Sequence, residues 1–86
     1  MRECFFCGAT QRLERHHIFG GVNRKKSDKD GLVVDLCHEC HNEPPYGVHH
    51  NKEMMLELHQ YGERLWLEQH NATIEDFIKT YGKNYL

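Results

Sequence analysis

The sequence lacks the features that would direct a chain into a membrane or out of the cell. It has no apolar run long enough to span a bilayer, and nothing at its amino-terminal end resembles a signal peptide. It also has no internal repeats and no low-complexity stretches. Its formal net charge of −2 argues against a globally basic nucleic-acid binder. These absences predict a cytoplasmic protein without a membrane partner, forming a single domain over residues 1–86.

Cysteine is present in a pattern that suits a metal. A chain of 86 residues buries so little apolar surface that its stability usually needs an additional cross-link, such as a disulfide or a bound metal. Its four cysteines form two CxxC pairs, Cys4 with Cys7 and Cys37 with Cys40. Two such pairs, each on a tight turn, complete the shell of a structural zinc. Disulfides, a redox pair and an iron-sulfur cluster are the alternatives, and rubredoxin-like iron ranks second to zinc.

Positive charge is concentrated in one part of the chain. Basic residues dominate residues 12–29, whereas most acidic residues lie later. Residues 23–27 (NRKKS) predict a loop, for which a solvated surface is the plainer interpretation. Because this loop follows a histidine doublet, we favour a loop that faces phosphates through Arg24, Lys25 and Lys26.

Apolar patterning predicts a β-hairpin in the first half of the chain. Residues 13–19 predict a strand that carries His16 and His17, and residues 32–36 (LVVDL) predict its partner. The two arms would bring the distant CxxC pairs together. Residues 44–47 (PPYG) predict a loop.

The second half predicts two helices. Apolar residues recur at helical spacing over residues 51–70, with Asn51 as a cap and Asn71 as a stop. A second helix is predicted to begin after Thr73, with Asp76 as its capping partner, and to end at Gly82. The sequence therefore predicts an α+β fold.

Histidines form a second candidate site. Adjacent histidines on a strand point to opposite faces, so a shared site for His16 and His17 requires a twist or bulge. One could then bind a metal while its neighbour acts as a base. His41 follows the second CxxC directly, and His49 could complete a three-histidine set. A neutral imidazole and a metal with open positions meet the needs of phosphodiester cleavage. Of the other histidines, His38, His59 and His70 are predicted to be ordinary surface or core residues.

These residues carry a resemblance to a known family. Residues 13–21 (LERHHIFGG) and 36–42 (LCHECHN) resemble the HNH endonucleases, whose ββα-metal fold places a catalytic metal between a hairpin and a helix. Residues 31–42, 47–49 and 81–86 (YGKNYL) resemble the phage and prophage branch akin to the recombination-enhancement, RecA-dependent nucleases. The resemblance implies one nuclease domain, with a metal-binding hairpin and loops over residues 1–50 and a helical part over 51–86.

The resemblance also implies roles for individual residues. It makes His16 and His41 ligands of a catalytic divalent metal (Mg²⁺, Mn²⁺, Ni²⁺ or Zn²⁺) and His17 the general base. It adds His49 as a further ligand, with His50 as the alternative. Leu32 stands where many HNH sequences have an asparagine that steadies the loop bearing the base. Asn23 and Asn42 are the candidate replacements.

The sequence therefore favours a metal-dependent DNA endonuclease with a structural zinc. DNA is the expected partner, and a recombinase filament, another phage or host protein and a second copy of the chain are further candidates. A non-catalytic zinc-ribbon module that binds nucleic acid or protein is the alternative. Such a module needs the cysteines but has no use for His16, His17 and His41. A small redox protein with iron bound by the cysteines would also leave these histidines unused.

Overall fold

The computed structural model describes residues 2–86 and has an α+β architecture, as the sequence predicts. Two strands form an antiparallel hairpin, and helices follow it. The order along the chain is β1 (Leu13–His17), α1 (Arg24–Lys29), β2 (Val33–Cys37), α2 (His38–Asn42), α3 (Lys52–His70) and α4 (Ile74–Tyr81), with 3₁₀ turns at Gly21–Asn23 and Val48–His50. Among residues 2–86, no helix has both the length and the apolarity to cross a membrane.

The histidine doublet lies in a regular part of the hairpin. His16 pairs with Val34 and His17 with Val33, and the register continues to Cys37 without an extra residue. The hairpin therefore has no bulge at the doublet. The alternation of a strand places the two imidazoles on opposite faces, and only His16 is buried. The strand also ends earlier than predicted, because the Phe19 N–H donates to Ser27 Oγ.

The basic segment between the strands is a helix, so the loop predicted for residues 23–27 is wrong. The Ser27 side chain is fully buried, and its hydroxyl donates to the Leu32 carbonyl. The Asn23 amide donates to the Tyr81 carbonyl and the Lys26 ammonium to the Thr80 carbonyl. These contacts anchor α1 to the hairpin and to α4. Sequence periodicity could not reveal the contacts of Asn23 and Lys26, because they join residues 58 and 54 positions apart.

The two predicted C-terminal helices are confirmed, together with their end signals. Asn51 Oδ1 accepts a hydrogen bond from the Met54 N–H at the start of α3, and Asn71 adopts the left-handed conformation at its end. Thr73 and Asp76 form a reciprocal capping box at the start of α4. α4 ends at Gly82, whose φ of 91° favours glycine.

Buried side chains form two clusters, and Val34 of β2 packs against both. The first joins the end of β1 to the C-terminal helices through Ile18, Phe19, Leu32, Trp66, Phe77 and Tyr81. The second surrounds the cysteines and comprises Cys4, Leu36, Cys37, Val48 and Leu58. Gly62 lets α3 approach the first cluster, because a Cβ there would lie 2.7 Å from Ile18 Cγ2.

Asp30 connects three parts of the fold through one carboxylate oxygen. Asp30 Oδ2 accepts hydrogen bonds from the Tyr81 hydroxyl at 2.7 Å and from Trp66 Nε1 at 3.1 Å. Burial, followed by the contact with Asp30, raises the pKa of Tyr81 above its ordinary value. The segment after α1 is thereby tied to both α3 and α4.

Tyr81→Phe should lower the free energy of unfolding by about 1.5–3 kcal/mol, the usual value of a hydrogen bond to a charged group. Above pH ~10 the unfolded chain loses the phenol proton that the folded chain retains, so wild-type stability falls as pH rises. The variant should lose this part of the pH dependence. Urea unfolding between pH 7 and 11 measures both effects. Tyr46→Phe, at an exposed position, is the control, and equal pH profiles for wild type and Tyr81→Phe would contradict the assignment.

Candidate metal centres

The four cysteines converge at one end of the hairpin. The first pair lies in a turn closed by hydrogen bonds from the Gly8 N–H to the Cys4 carbonyl and from the Cys4 N–H to the Ala9 carbonyl. The second pair differs from the predicted tight turn, since Cys37 ends β2 and Cys40 lies in α2. All four Sγ atoms lie within 4.8 Å of one another.

The chemistry of this cluster fits a structural metal. The Sγ atoms of Cys7 and Cys37 are 3.6 Å apart, close to the separation of about 3.8 Å that tetrahedral bonds of about 2.3 Å would give. Burial raises the pKa of the Cys37 and Cys40 thiols. Burial also opposes ionisation of Cys4, but backbone N–H groups outweigh it and lower its pKa to about 6. A cation would compensate the thiolates, of which those of Cys4 and Cys37 are buried, so the four cysteines could bind a structural ion such as zinc.

Three histidines from three separate elements form a second cluster. His16 comes from β1, His41 from α2, and His49 from the turn that precedes α3. One ring nitrogen of each lies within 4.8 Å of the others, and the Nε2 atoms of His41 and His49 are 3.1 Å apart. Within residues 2–86, the exposed His50 lies outside this group.

The His16 imidazole gives the clearest sign that this cluster fits a cation. His16 Nε2 is buried and has no hydrogen-bond partner within residues 2–86. Burial, followed by the neighbouring imidazoles, lowers the pKa of His16 to about 4, and burial also lowers the pKa of His49. Neutral imidazole is the form that binds metals. A shared divalent ion would satisfy the buried nitrogen.

Glu14 orients one member of the cluster, and the sequence analysis missed it. Its carboxylate oxygens lie 2.7 Å from His41 Nδ1 and 3.1 Å from His38 Nδ1. Hydrogen bonds from His41 and then His38 hold the pKa of Glu14 below its usual value. With Nδ1–H donated to the carboxylate, His41 presents Nε2 to the cluster. The only sequence signal is the position of Glu14 two residues before His16 on one strand, which places both side chains on one face.

Glu14→Ala should weaken metal binding by the three histidines about 10- to 100-fold, the usual effect of removing a hydrogen-bond acceptor behind a ligating histidine. Glu14→Gln keeps one acceptor oxygen and should lose less. Calorimetric titration with Mn²⁺ or Co²⁺ measures the affinity. Glu53→Ala, at an exposed position on α3, is the matched control. Affinity for Glu14→Ala equal to that of the control would show that His41 is oriented by other contacts.

His17 is not part of the three-histidine group and contacts a different carboxylate. Its Nε2 lies 3.3 Å from Asp28 Oδ1, which also accepts a hydrogen bond from Arg15 at 3.1 Å. If Nε2–H donates to the carboxylate, Nδ1 remains as the proton acceptor. His17 nevertheless borders the same cavity of about 330 Å³ as His16, His41 and His49.

Within residues 2–86, neither Leu32 nor the two candidate asparagines form a side-chain hydrogen bond with His17. Leu32 is fully buried in the core, Asn23 donates to the Tyr81 carbonyl, and Asn42 Nδ2 lies 3.4 Å from His41 Nδ1. Asp28 holds the His17 ring, and Ser27 connects the backbone on the two sides of α1. Neither was identified from the sequence, because the folding of residues 24–29 into a helix determines their positions.

The basic residues of α1 divide into two groups. Arg24 and Lys25 line a cavity of about 410 Å³ together with His17 and Asp28. The Lys26 ammonium lies 2.7 Å from the Thr80 carbonyl oxygen and is engaged by α4. Of the three residues predicted to face phosphates, Arg24 and Lys25 therefore border the region beside the doublet, whereas Lys26 contacts α4.

The three histidines predicted to be ordinary lie outside the three-histidine group, although His59 lines the same cavity. His38 lies between the carboxylates of Glu14 and Glu43, which raise its pKa in that order. His59 is packed against Phe19, with a ring-centroid separation of 5.4 Å. His70 is half-exposed and lies against Trp66 at the end of α3.

Comparison with known proteins assigns no family to the chain. No family model, no curated protein and no solved structure matches it. The chemistry of its two clusters is therefore the basis for any functional proposal.

Proposed function

We propose that the chain is a metal-dependent DNA endonuclease of the HNH type, with a structural zinc bound by the four cysteines and one divalent ion bound by His16, His41 and His49. The proposal includes the ββα-metal fold, in which the hairpin and α3 flank the ion. The resemblance of residues 13–21 and 36–42 to HNH sequences supports it. A cytoplasmic location and a role in phage recombination or DNA processing belong to the same proposal.

The buried His16 Nε2 atom is the observation on which the proposal chiefly rests. An unpartnered buried nitrogen costs free energy unless a ligand satisfies it. His41 and His49 present nitrogens to the same point, and His17 lies beside it on β1 without joining the cluster. A purely structural metal site would not need a further histidine bordering the same cavity.

Residues of this chain could supply the remaining needs of phosphodiester hydrolysis. His17 Nδ1 would accept a proton from the attacking water, while Asp28 holds the ring in place. Arg24 and Lys25 would bind phosphates next to the reacting one without reading the bases. When bound, the divalent ion would polarise the phosphate and stabilise the leaving oxygen.

Incubation of the purified protein with plasmid and single-stranded DNA tests the proposal. Mg²⁺, Mn²⁺, Ni²⁺ and Zn²⁺ should each be supplied, with and without a recombinase filament. Imidazole ligands favour transition metals, so we expect nicking with Mn²⁺ or Ni²⁺ at least as fast as with Mg²⁺. Absence of cleavage on every DNA form, together with retained DNA affinity, would favour the non-catalytic zinc-ribbon module.

Arg24→Ala with Lys25→Ala should weaken DNA binding on every sequence. The slope of log affinity against log salt should become shallower by about 1.8 on duplex DNA, because each lost phosphate contact contributes about 0.9. Fluorescence anisotropy at several salt concentrations measures the slope. Lys26→Ala is the matched control, since its ammonium is bound by the Thr80 carbonyl. An unchanged slope in the double variant would mean that these side chains are merely solvated.

A further inference from the structure

A second groove lies directly beside the histidine cluster and has a different character. Its volume is about 530 Å³, and its walls come from the start of α3 and from the C-terminal segment. It shares His49, Met55 and His59 with the cavity that holds the cluster. A ligand in this groove would therefore be continuous with one bound at the three histidines.

Apolar and aromatic side chains line one part of the groove, which we call its floor, and two lysines supply its charged part, which we call its rim. Leu56 is 45% exposed although it is apolar, and Met55 and Tyr85 line the groove beside it. Lys52 and Lys83 supply positive charge, and Lys83 Nζ lies 5.3 Å from the centre of the Tyr85 ring. This combination suits a ligand that has both a flat apolar face and a negative charge.

The C-terminal wall of the groove is fixed to α3. The buried Glu63 carboxylate accepts a hydrogen bond of 2.7 Å from the Tyr85 N–H, and Gln60 Nε2 donates to the Tyr85 carbonyl at 2.9 Å. The Tyr85 ring packs against His59, with a centroid separation of 4.4 Å. The groove is therefore formed before any ligand arrives, which lowers the entropic cost of binding.

We propose that this groove binds one unpaired nucleotide of a DNA strand, next to the phosphate held at the histidine cluster. The base would lie on the floor formed by Leu56 and Tyr85, and Lys83 would bind the adjoining phosphate. Stacking platforms with a cationic rim are how proteins hold single-stranded nucleic acid. The proposal rests on the proposed function, and it names single-stranded or locally unpaired DNA as the substrate.

Two features of the groove favour an unpaired nucleotide over duplex DNA. Its volume lies within the roughly 300–1,000 Å³ of small-molecule sites, so it accommodates a nucleotide and not a double helix. Duplex DNA also presents phosphates and base edges to a protein, while its base faces are stacked on one another. An apolar floor would gain nothing from a duplex, whereas an unpaired base could cover it.

The test compares two double variants with matched chemistry. The groove variant is Leu56→Ser with Lys83→Ala. The control is Ile78→Ser with Lys79→Ala on α4, where Ile78 has a similar exposed fraction, 39%. Anisotropy with fluorescein-labelled oligothymidylate, and with its oligoadenylate duplex, measures affinity without added divalent metal. The groove variant should lose roughly 5- to 150-fold in single-strand affinity, the effect of about one stacked base, and less than about threefold in duplex affinity.

Photocrosslinking of an oligonucleotide containing 5-iodouracil to the wild-type protein provides an independent measurement. Mass spectrometry should locate the crosslink on the segments that contain Leu56, His59 or Tyr85. Equal single-strand affinity of the groove variant and the α4 control, or crosslinks confined to other segments, would overturn the proposal.

The two proposals can fail separately. Cleavage of duplex and single-stranded DNA at equal rates by both wild type and the groove variant would support the endonuclease proposal and contradict the groove proposal. Single-strand binding that depends on Leu56 and Lys83, without cleavage of any DNA, would support the groove proposal and contradict the endonuclease proposal.

Discussion

His17→Ala should retain both metals and full DNA affinity but cleave DNA roughly 100- to 10,000-fold more slowly, the usual loss when a general base is removed. The reason is geometric. His17 lies outside the group formed by His16, His41 and His49, so its removal takes away no ligand. It borders the same cavity, so its removal takes away a proton acceptor beside the proposed metal. Nicking rates at matched metal occupancy measure the effect.

The controls for this prediction use other histidines. His16→Ala and His41→Ala should also abolish cleavage, but with loss of the second metal, which elemental analysis detects. His70→Ala alters a half-exposed histidine at the far end of α3 and should cleave like the wild type. Equal cleavage rates for wild type and His17→Ala would show that His17 is not the general base.

Cys37→Ser should abolish the tightly held zinc and unfold much of the first half of the chain. Zinc binding by cysteine-rich peptides contributes roughly 10–16 kcal/mol, whereas a whole domain is stable by only about 5–15 kcal/mol. Cys37 is also buried in the second core cluster. Removing one ligand should therefore cost more than a chain of this size can tolerate. Elemental analysis and thermal melting followed by near-ultraviolet circular dichroism measure the two outcomes.

Thr10→Ser, a conservative change at an exposed position between the cysteine pairs, should keep one zinc per chain and melt like the wild type. A Cys37→Ser protein with normal melting and normal zinc content would exclude the four-cysteine site. Wild-type protein that contains iron in place of zinc would leave the site intact but change the metal.

The hairpin and the two C-terminal helices could be predicted because their signals are local. The cap at Asn51, the reciprocal pair of Thr73 and Asp76 and the stop at Gly82 each act within one turn of their helix. Spacing also identified the four cysteines and the histidines that converge in space. These residue types have few other reasons to occur at such spacings.

Features that depend on distant partners could not be predicted. The helix at Arg24–Lys29 is held by Ser27 and Lys26 through the hairpin and α4. Asp28 meets His17 only because that helix forms, and Glu14 meets His41 only because α2 folds back on β1. A charged residue has many surface positions available to it, so sequence alone does not select the one it occupies.

The short helix α2 determines the order in which the two metal sites can assemble. Cys37 and Cys40 bracket its first turn, and His41 is the next residue along the chain. The cysteine site also has ligands in the amino-terminal turn. The histidine site takes one ligand, His41, from a helix whose position would be set by the cysteines. Emptying the histidine site would leave the cysteine site whole, but emptying the cysteine site would dismantle both. If both clusters bind metal as proposed, assembly would be hierarchical, and the supply of zinc would set the upper limit on how many molecules carry both ions.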